Sequence, residues 1–202
     1  MTIASNRVFL FVHLRAAAGG WQALNERVTA VLADWPAVVR VGNFMGLFGI
    51  SNQELFVLLS LPAGEDGRTE LRARLPADVE LVDTLALRAT VRPSDDASLT
   101  RAGVYVFRFF DVRATDVAEV VELSRVAWQT FEPDAQYAAE PMGLFRFADS
   151  SAERGRMMLL TWYDNLTSWE RSRTPHPEAT ANFQRRATLS RSALAIATRL
   201  IA

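Results

Sequence analysis

The chain of 202 residues has no cysteine and no lysine. The first absence removes disulfides, thiolate nucleophiles and cysteine-held metals together. The second removes a Schiff-base lysine and a phosphate-loop lysine, so all 22 basic residues are arginine. Histidine is scarce too: with only His13 and His176, one chain offers a metal at most two imidazoles. No glycine-rich phosphate loop, G-x-S-x-G, H-E-x-x-H or zinc spacing occurs. Net charge is −1, so no overall basic field draws the chain to nucleic acid or anionic lipid. No apolar run reaches the roughly 18 residues of a membrane span. The short run Val8 to Val12 after Arg7 is interrupted by His13 and reads as a strand rather than a signal peptide. A cytoplasmic protein is expected.

What is present is an ordinary globular composition, 50% apolar and 22% charged, and an internal repeat. Met45-Gly46-Leu47-Phe48 returns as Met142-Gly143-Leu144-Phe145, offset by 97 residues. Val8-Phe9-Leu10-Phe11 is echoed by Val104-Tyr105-Val106-Phe107 at an offset of 96. Two matches at nearly one offset mark a duplication.

Each copy reads in the same order. In the first, Arg7 to Leu14 is a strand, and Trp21, Leu24, Val28, Leu32 and Trp35 form a helical stripe that Pro36 ends. Val38 to Phe48 and Glu54 to Leu61 form a hairpin around Ser51-Asn52. A weakly helical segment at Gly64 to Leu75 and a strand at Val79 to Val91 follow. In the second copy, Gly103 to Phe110 is a strand. Asp116 with Glu119 predicts a capping box for the stripe Val117, Val120, Val121, Trp128 and Phe131. Gln136 to Phe147 and Arg156 to Tyr163 form the second hairpin, around a polar loop at Asp149 to Gly155. Asn165 to Arg173 and Pro177 to Arg186 read as helical, and Leu189 to Ile201 as the closing strand. The Pro93 to Ser98 stretch is the one linker-like segment. The expected organisation is an N-terminal half over 1–92, a linker over 93–101 and a C-terminal half over 102–202. The fold class is α+β: two tandem ferredoxin-like β-α-β-β-α-β halves forming a barrel-like sheet pair.

Three segments carry a resemblance to a known family. They are Tyr105 to Phe110, Met142 to Phe145, and Trp162-Tyr163-Asp164-Asn165-Leu166-Thr167-Ser168-Trp169-Glu170-Arg171-Ser172-Arg173. In these the chain resembles the NIPSNAP-like branch of the dimeric α+β barrel superfamily, with the second half the better match. Such proteins often alternate Glu, Arg and Tyr on the strand face turned into the barrel. Here that alternation falls on Val106, Arg108 and Phe110, and in the first half on Leu10, Val12 and Leu14. The resemblance implies a homo-oligomer, a dimer in the simplest case. It leaves open cofactor-free monooxygenation, cyclisation, haem binding or degradation, and plain ligand binding.

Arg108 is the most informative residue, a guanidinium in the middle of an otherwise apolar strand. It either awaits an anionic ligand or pairs internally with Glu140 or Asp111. Trp162, Tyr163, Arg171 and Arg173 cluster where a strand passes into a helix and are the other ligand-binding candidates, although such aromatics also serve as core. Alternation allows only one of Trp162 and Tyr163 to line a cavity. His176, between Pro175 and Pro177, is the candidate general base or axial haem ligand. His13 reads as a packed residue. The expected function is binding of a small hydrophobic or aromatic anion, and a catalytic version would need no cofactor because arginine stabilises an enolate-like charge. The alternatives are a non-catalytic homo-oligomeric interaction protein and a haem protein.

Overall fold

The computed structural model describes residues 6–133, 137–149, 154–174 and 177–201. The chain is α+β, of the barrel-like ferredoxin type, and every described ladder is antiparallel. It divides into two compact units. One comprises Ala4–Arg88, Asp95–Arg101 and Thr198–Ala202; the other comprises Ala89–Ser94 and Ala102–Ala197.

In the N-terminal unit the strands β1 (Arg7–Ala16), β2 (Val39–Gly46), β3 (Glu54–Pro62) and β4 (Val79–Ala89) lie in the order β4-β1-β3-β2. Helices α1 (Trp21–Ala33) and α2 (Gly67–Arg74) supply the apolar stripes. Leu10, Val12 and Leu14 of β1 and Val57, Leu59 and Leu61 of β3 share one core with Leu24, Val28 and Leu32 of α1 and Leu71 of α2. The strand period of two and the helix period of 3.6 converge there. Trp35 lies past the end of α1 yet stays buried in this core. Of the residues read as a linker, Asp95–Arg101 belong to this unit. Asp96 accepts from the Ser60 hydroxyl and pairs with Arg7 at 2.7 Å, and Leu99 donates its N–H to Val41.

The C-terminal unit contains β5 (Val104–Arg113), β6 (Ala139–Phe147), β7 (Arg154–Tyr163) and the first part of β8 (Ser192–Leu200), ordered β8-β5-β7-β6. Helix α3 (Val117–Phe131), the short α4 (Leu166–Arg171) and α5 (Pro177–Leu189) complete it. Asn165 caps α4 by accepting from the Ser168 N–H.

Four expectations change here. The Asp116 capping box does not form, because a 3₁₀ turn over Ala114–Asp116 runs straight into α3 and gives Asp116 a helical backbone without a side-chain cap; Glu119 pairs instead with Arg185. Strand β2 stops at Gly46, leaving Phe48 exposed. Helix α5 continues to Leu189, so the closing strand begins at Ser192. Finally, Arg108 and Phe110 lie on the sheet face covered by helices: Phe110 packs with Val120 and Trp128 of α3. Alternation shows which residues share a face, and the packing partners decide which face it is. The polar loop expected between β6 and β7 falls mostly outside the described residues.

Candidate functional site

The two units differ where the repeat makes them comparable. Val12, Leu10 and Val8 of β1 pair across the ladder with Val57, Leu59 and Leu61. Their counterparts Arg108, Val106 and Val104 pair with Leu159, Thr161 and Tyr163. The N-terminal copy is thus apolar at every one of these positions. The C-terminal copy places an arginine, a threonine and a tyrosine on the same patch. That patch borders a cavity of about 250 Å³ lined also by Trp128 and Phe131 of α3, Pro141 of β6, Ser172 and Arg173 after α4, and Phe183, Arg186 and Ala187 of α5.

Aromatic contacts shape the wall. Phe131 stacks on Tyr137 at 4.8 Å between ring centres and meets Phe183 edge-on at 6.4 Å. The Tyr137 hydroxyl donates to the Thr174 carbonyl at 3.0 Å, tying down the chain that leaves α4. Pro141 sits where the β6–β7 register shifts, a bulge at the edge of the cavity.

The polar lining is one-sided in charge. Among the described residues the Arg108 guanidinium makes no hydrogen bond or ion pair. Asp111, one carboxylate considered for it, pairs with Arg156 at 3.2 Å. Burial lowers the Arg108 pKa, the nearby Tyr163 hydroxyl works against that, and the positive Arg173 adds to it. Arg186 is pushed down to about 10, first by burial and then by the charge of Arg108, with Tyr163 again opposing. Both remain cations at neutral pH. Among the described residues the Arg186 guanidinium donates to the Ser124 hydroxyl, at 3.4 Å, and lies 5.1 Å over the Phe183 ring. Arg173 lies 5.9 Å from the Trp169 ring centre. The acidic residues of α3 and its C-terminal cap serve other arginines: Glu119 with Arg185, Glu122 with Arg125, and Glu132 with Arg92.

Arg108, Tyr163 and Arg173 border one cavity. Trp162 does not. It points to the other sheet face and donates its indole N–H to the Ala102 carbonyl at 2.9 Å. This contact rests on Gly103, whose φ of +147° favours glycine and where a Cβ would overlap the Trp162 ring. Arg171 is exposed in the last turn of α4 and does not line the cavity. His176 lies outside the described residues. Arg186 was missed, although a signal existed: it follows Phe183 by three residues on α5, on the same helix face. Trp128 and Phe131 appeared in the sequence only as a helical stripe.

His13 is occupied elsewhere. Its Nε2 donates to the Glu54 carboxylate at 2.8 Å, and its ring stacks on Phe56 at 4.5 Å. Arg15 adds two hydrogen bonds to the same carboxylate, at 2.9 and 3.0 Å. Burial alone would raise the Glu54 pKa, but these partners together outweigh it and hold the carboxyl below its ordinary value of 4.5. A lowered carboxylate stabilises the fold above the unfolded pKa, and that stability is lost as pH falls through the lower folded value. Glu54→Gln is expected to lose about 1–3 kcal/mol at pH 7 and to show a flatter decline in stability below pH 4.5. Urea titrations at pH 7 and pH 3.5 measure both effects; equal losses at the two pH values would refute the assignment.

Neither a comparison with protein-family models nor one with curated proteins finds a match. Solved structures of similar fold exist. An anthrone oxidase-like protein is 11% identical, with a TM-score of 0.60 over 100% of this chain and 94% of its own. A mutant chlorite dismutase from Candidatus Nitrospira defluvii is also 11% identical, with a TM-score of 0.64 over 98% and 92%. A provisionally named monooxygenase from Lactobacillus acidophilus NCFM is 11% identical, with a TM-score of 0.56 over 96% and 93%. At this identity the likeness shows the fold, that of the α+β barrel proteins. No helix among the described residues is long and apolar enough to cross a membrane.

Proposed function

We propose that the C-terminal unit binds a small aromatic or alicyclic anion in the Arg108 cavity, and that the protein is a small-molecule-binding member of the α+β barrel proteins. One observation carries this reading. A patch that the N-terminal copy fills with Val12, Leu59 and Leu61 holds Arg108, Thr161 and Tyr163 in the C-terminal copy, with no carboxylate on Arg108 among the described residues. A desolvated guanidinium without a counter-charge is unfavourable in the free protein and favourable once an anion arrives. The aromatic walls suit an apolar body, and the volume suits one smaller than a typical drug-sized ligand.

Binding stands ahead of catalysis, because no carboxylate or imidazole among the described residues borders the cavity to act as a general base. The catalytic form of the reading is a cofactor-independent monooxygenase or cyclase in which Arg108 steadies an enolate or phenolate oxygen. The NIPSNAP-like assignment enters on the second-half segments alone. Haem suits the described residues poorly: the cavity lining has no histidine, cysteine or methionine, and His13 is held by Glu54.

The test is a thermal-shift screen of wild type and Arg108→Ala with benzoate, naphthoate, polyphenols and haem. A compound at a hundred times its Kd should add about 2.7 kcal/mol of stability, a shift of several degrees. The expected result is a shift with aromatic anions in wild type that is lost in the variant. A Soret band and a shift with haem alone would favour the haem reading. No shift with any probe would favour the homo-oligomeric interaction protein, whose exposed apolar groups include Phe48 and Leu194.

A further inference from the structure

We propose that the ligand's acidic head is a dianion, of the phosphate-monoester class, held between Arg108 and Arg186 with Arg173 toward the rim. This rests on the reading of the cavity as an anion site and goes further by naming the head group.

The first reason is charge balance. Two cations border the floor and wall of one small cavity, close enough for the charge of Arg108 to bear on Arg186. A single carboxylate neutralises one of them and leaves the other desolvated and repelled. A dianion neutralises both. Four nearby carboxylates are already engaged: those of α3 and its cap are paired with Arg185, Arg125 and Arg92, and Asp111 of β5 is paired with Arg156.

The second reason is hydrogen-bond type. The polar side chains on the cavity wall are three arginines, Thr161, Tyr163 and Ser172, with no acceptor-only side chain among them; the Ser172 hydroxyl donates to the Trp169 carbonyl, which leaves the arginines, Thr161 and Tyr163 as the donors. The matching head group is rich in acceptors and carries no obligatory donor. A phosphate monoester offers three terminal oxygens around one centre, and guanidinium forks recognise that geometry in pairs. The third reason is the division of labour between arginines. Arg108 projects from a strand and Arg186 from α5, so the head group bridges sheet and helix while Trp128, Phe131 and Phe183 take the apolar body.

The experiment is calorimetric titration of phenyl phosphate, benzoate, benzyl alcohol and inorganic phosphate into wild type, Arg108→Gln, Arg186→Gln and Arg186→Lys. Phenyl phosphate is expected to bind about tenfold or more tightly than benzoate, the scale of one added charged hydrogen-bond pair. Its affinity should rise from pH 5 to pH 7 as its second proton, with a pKa near 6, is lost, while benzoate affinity stays level. Arg186→Gln should bring the two ligands to similar affinity, and Arg186→Lys should restore part of the preference. Inorganic phosphate binding as tightly as phenyl phosphate would remove the apolar body from the proposal and overturn it. Benzoate equal to phenyl phosphate in wild type at pH 7 would overturn the dianion while leaving the anion site standing. If no aromatic anion binds, both readings fall. Should Arg186→Gln not fold, the pH dependence in wild type decides alone.

Discussion

Arg108→Val is expected to make the ligand-free protein more stable and to weaken binding of aromatic anions. In the unbound state the guanidinium is partly desolvated, has no hydrogen bond or ion pair among the described residues, and faces the charges of Arg173 and Arg186. The N-terminal copy shows what the same fold does without that demand: Val12 occupies the equivalent place, fully buried in a continuous apolar core. Valine at position 108 removes an uncompensated charge and leaves a β-branched residue suited to a strand. The gain is about 1–3 kcal/mol, or several degrees in melting temperature for a chain of this length. Ligand-induced stabilisation should shrink together with the charged hydrogen bonds that Arg108 supplies, a loss of about tenfold to a hundredfold in affinity. Stability up and affinity down is the signature of a residue kept for function. Differential scanning calorimetry with and without benzoate reads both. A lower melting temperature in Arg108→Val would mean that the arginine holds the fold together, and the binding reading would lose its main support.

The reverse exchange, Val12→Arg, should be severely destabilising. Val12 is fully buried in one apolar core with Leu10, Leu14, Val57, Leu24 and Val28. An arginine there either buries a charge without a partner or pushes α1 off the sheet. The expected loss is about 3–5 kcal/mol, enough to unfold much of the population at physiological temperature. A guanidinium chloride titration measures it directly. A loss below about 1 kcal/mol would show that the N-terminal core can open as the C-terminal unit does, and would weaken the contrast between the two copies.

Paired in this way, the two substitutions separate what the sequence already contained from what packing added. The duplication was legible because Met-Gly-Leu-Phe and the first strand of each half recur at nearly one offset, and period-two and period-3.6 patterns then name strands and helices in the right order. Proline and glycine punctuation placed most ends to within a few residues. Arg108 could be singled out because an isolated charge inside an apolar strand is costly in any fold. Elements shifted where local signals met a competing backbone path: the Asp116 cap gave way to a 3₁₀ turn, and α5 ran on into residues read as strand.

The site itself needed the tertiary structure. Alternation grouped Arg108 with Phe110 on one face, yet only the packing of α3 and α5 decided that this face looks onto helices. Arg186 lies 78 residues further along the chain than Arg108, so no local pattern joins them; the order β8-β5-β7-β6 and the course of α5 bring both to one cavity. Trp162 and Tyr163 are neighbours in sequence and part in space, one toward Ala102 and one toward the cavity, because adjacent strand residues face opposite ways. By itself the sequence determined the repeated α+β units and marked a cation inside an apolar strand as out of place. Packing decided which other charges share that cation's surroundings, since a constellation of side chains is a property of long-range contacts that residue order does not encode locally.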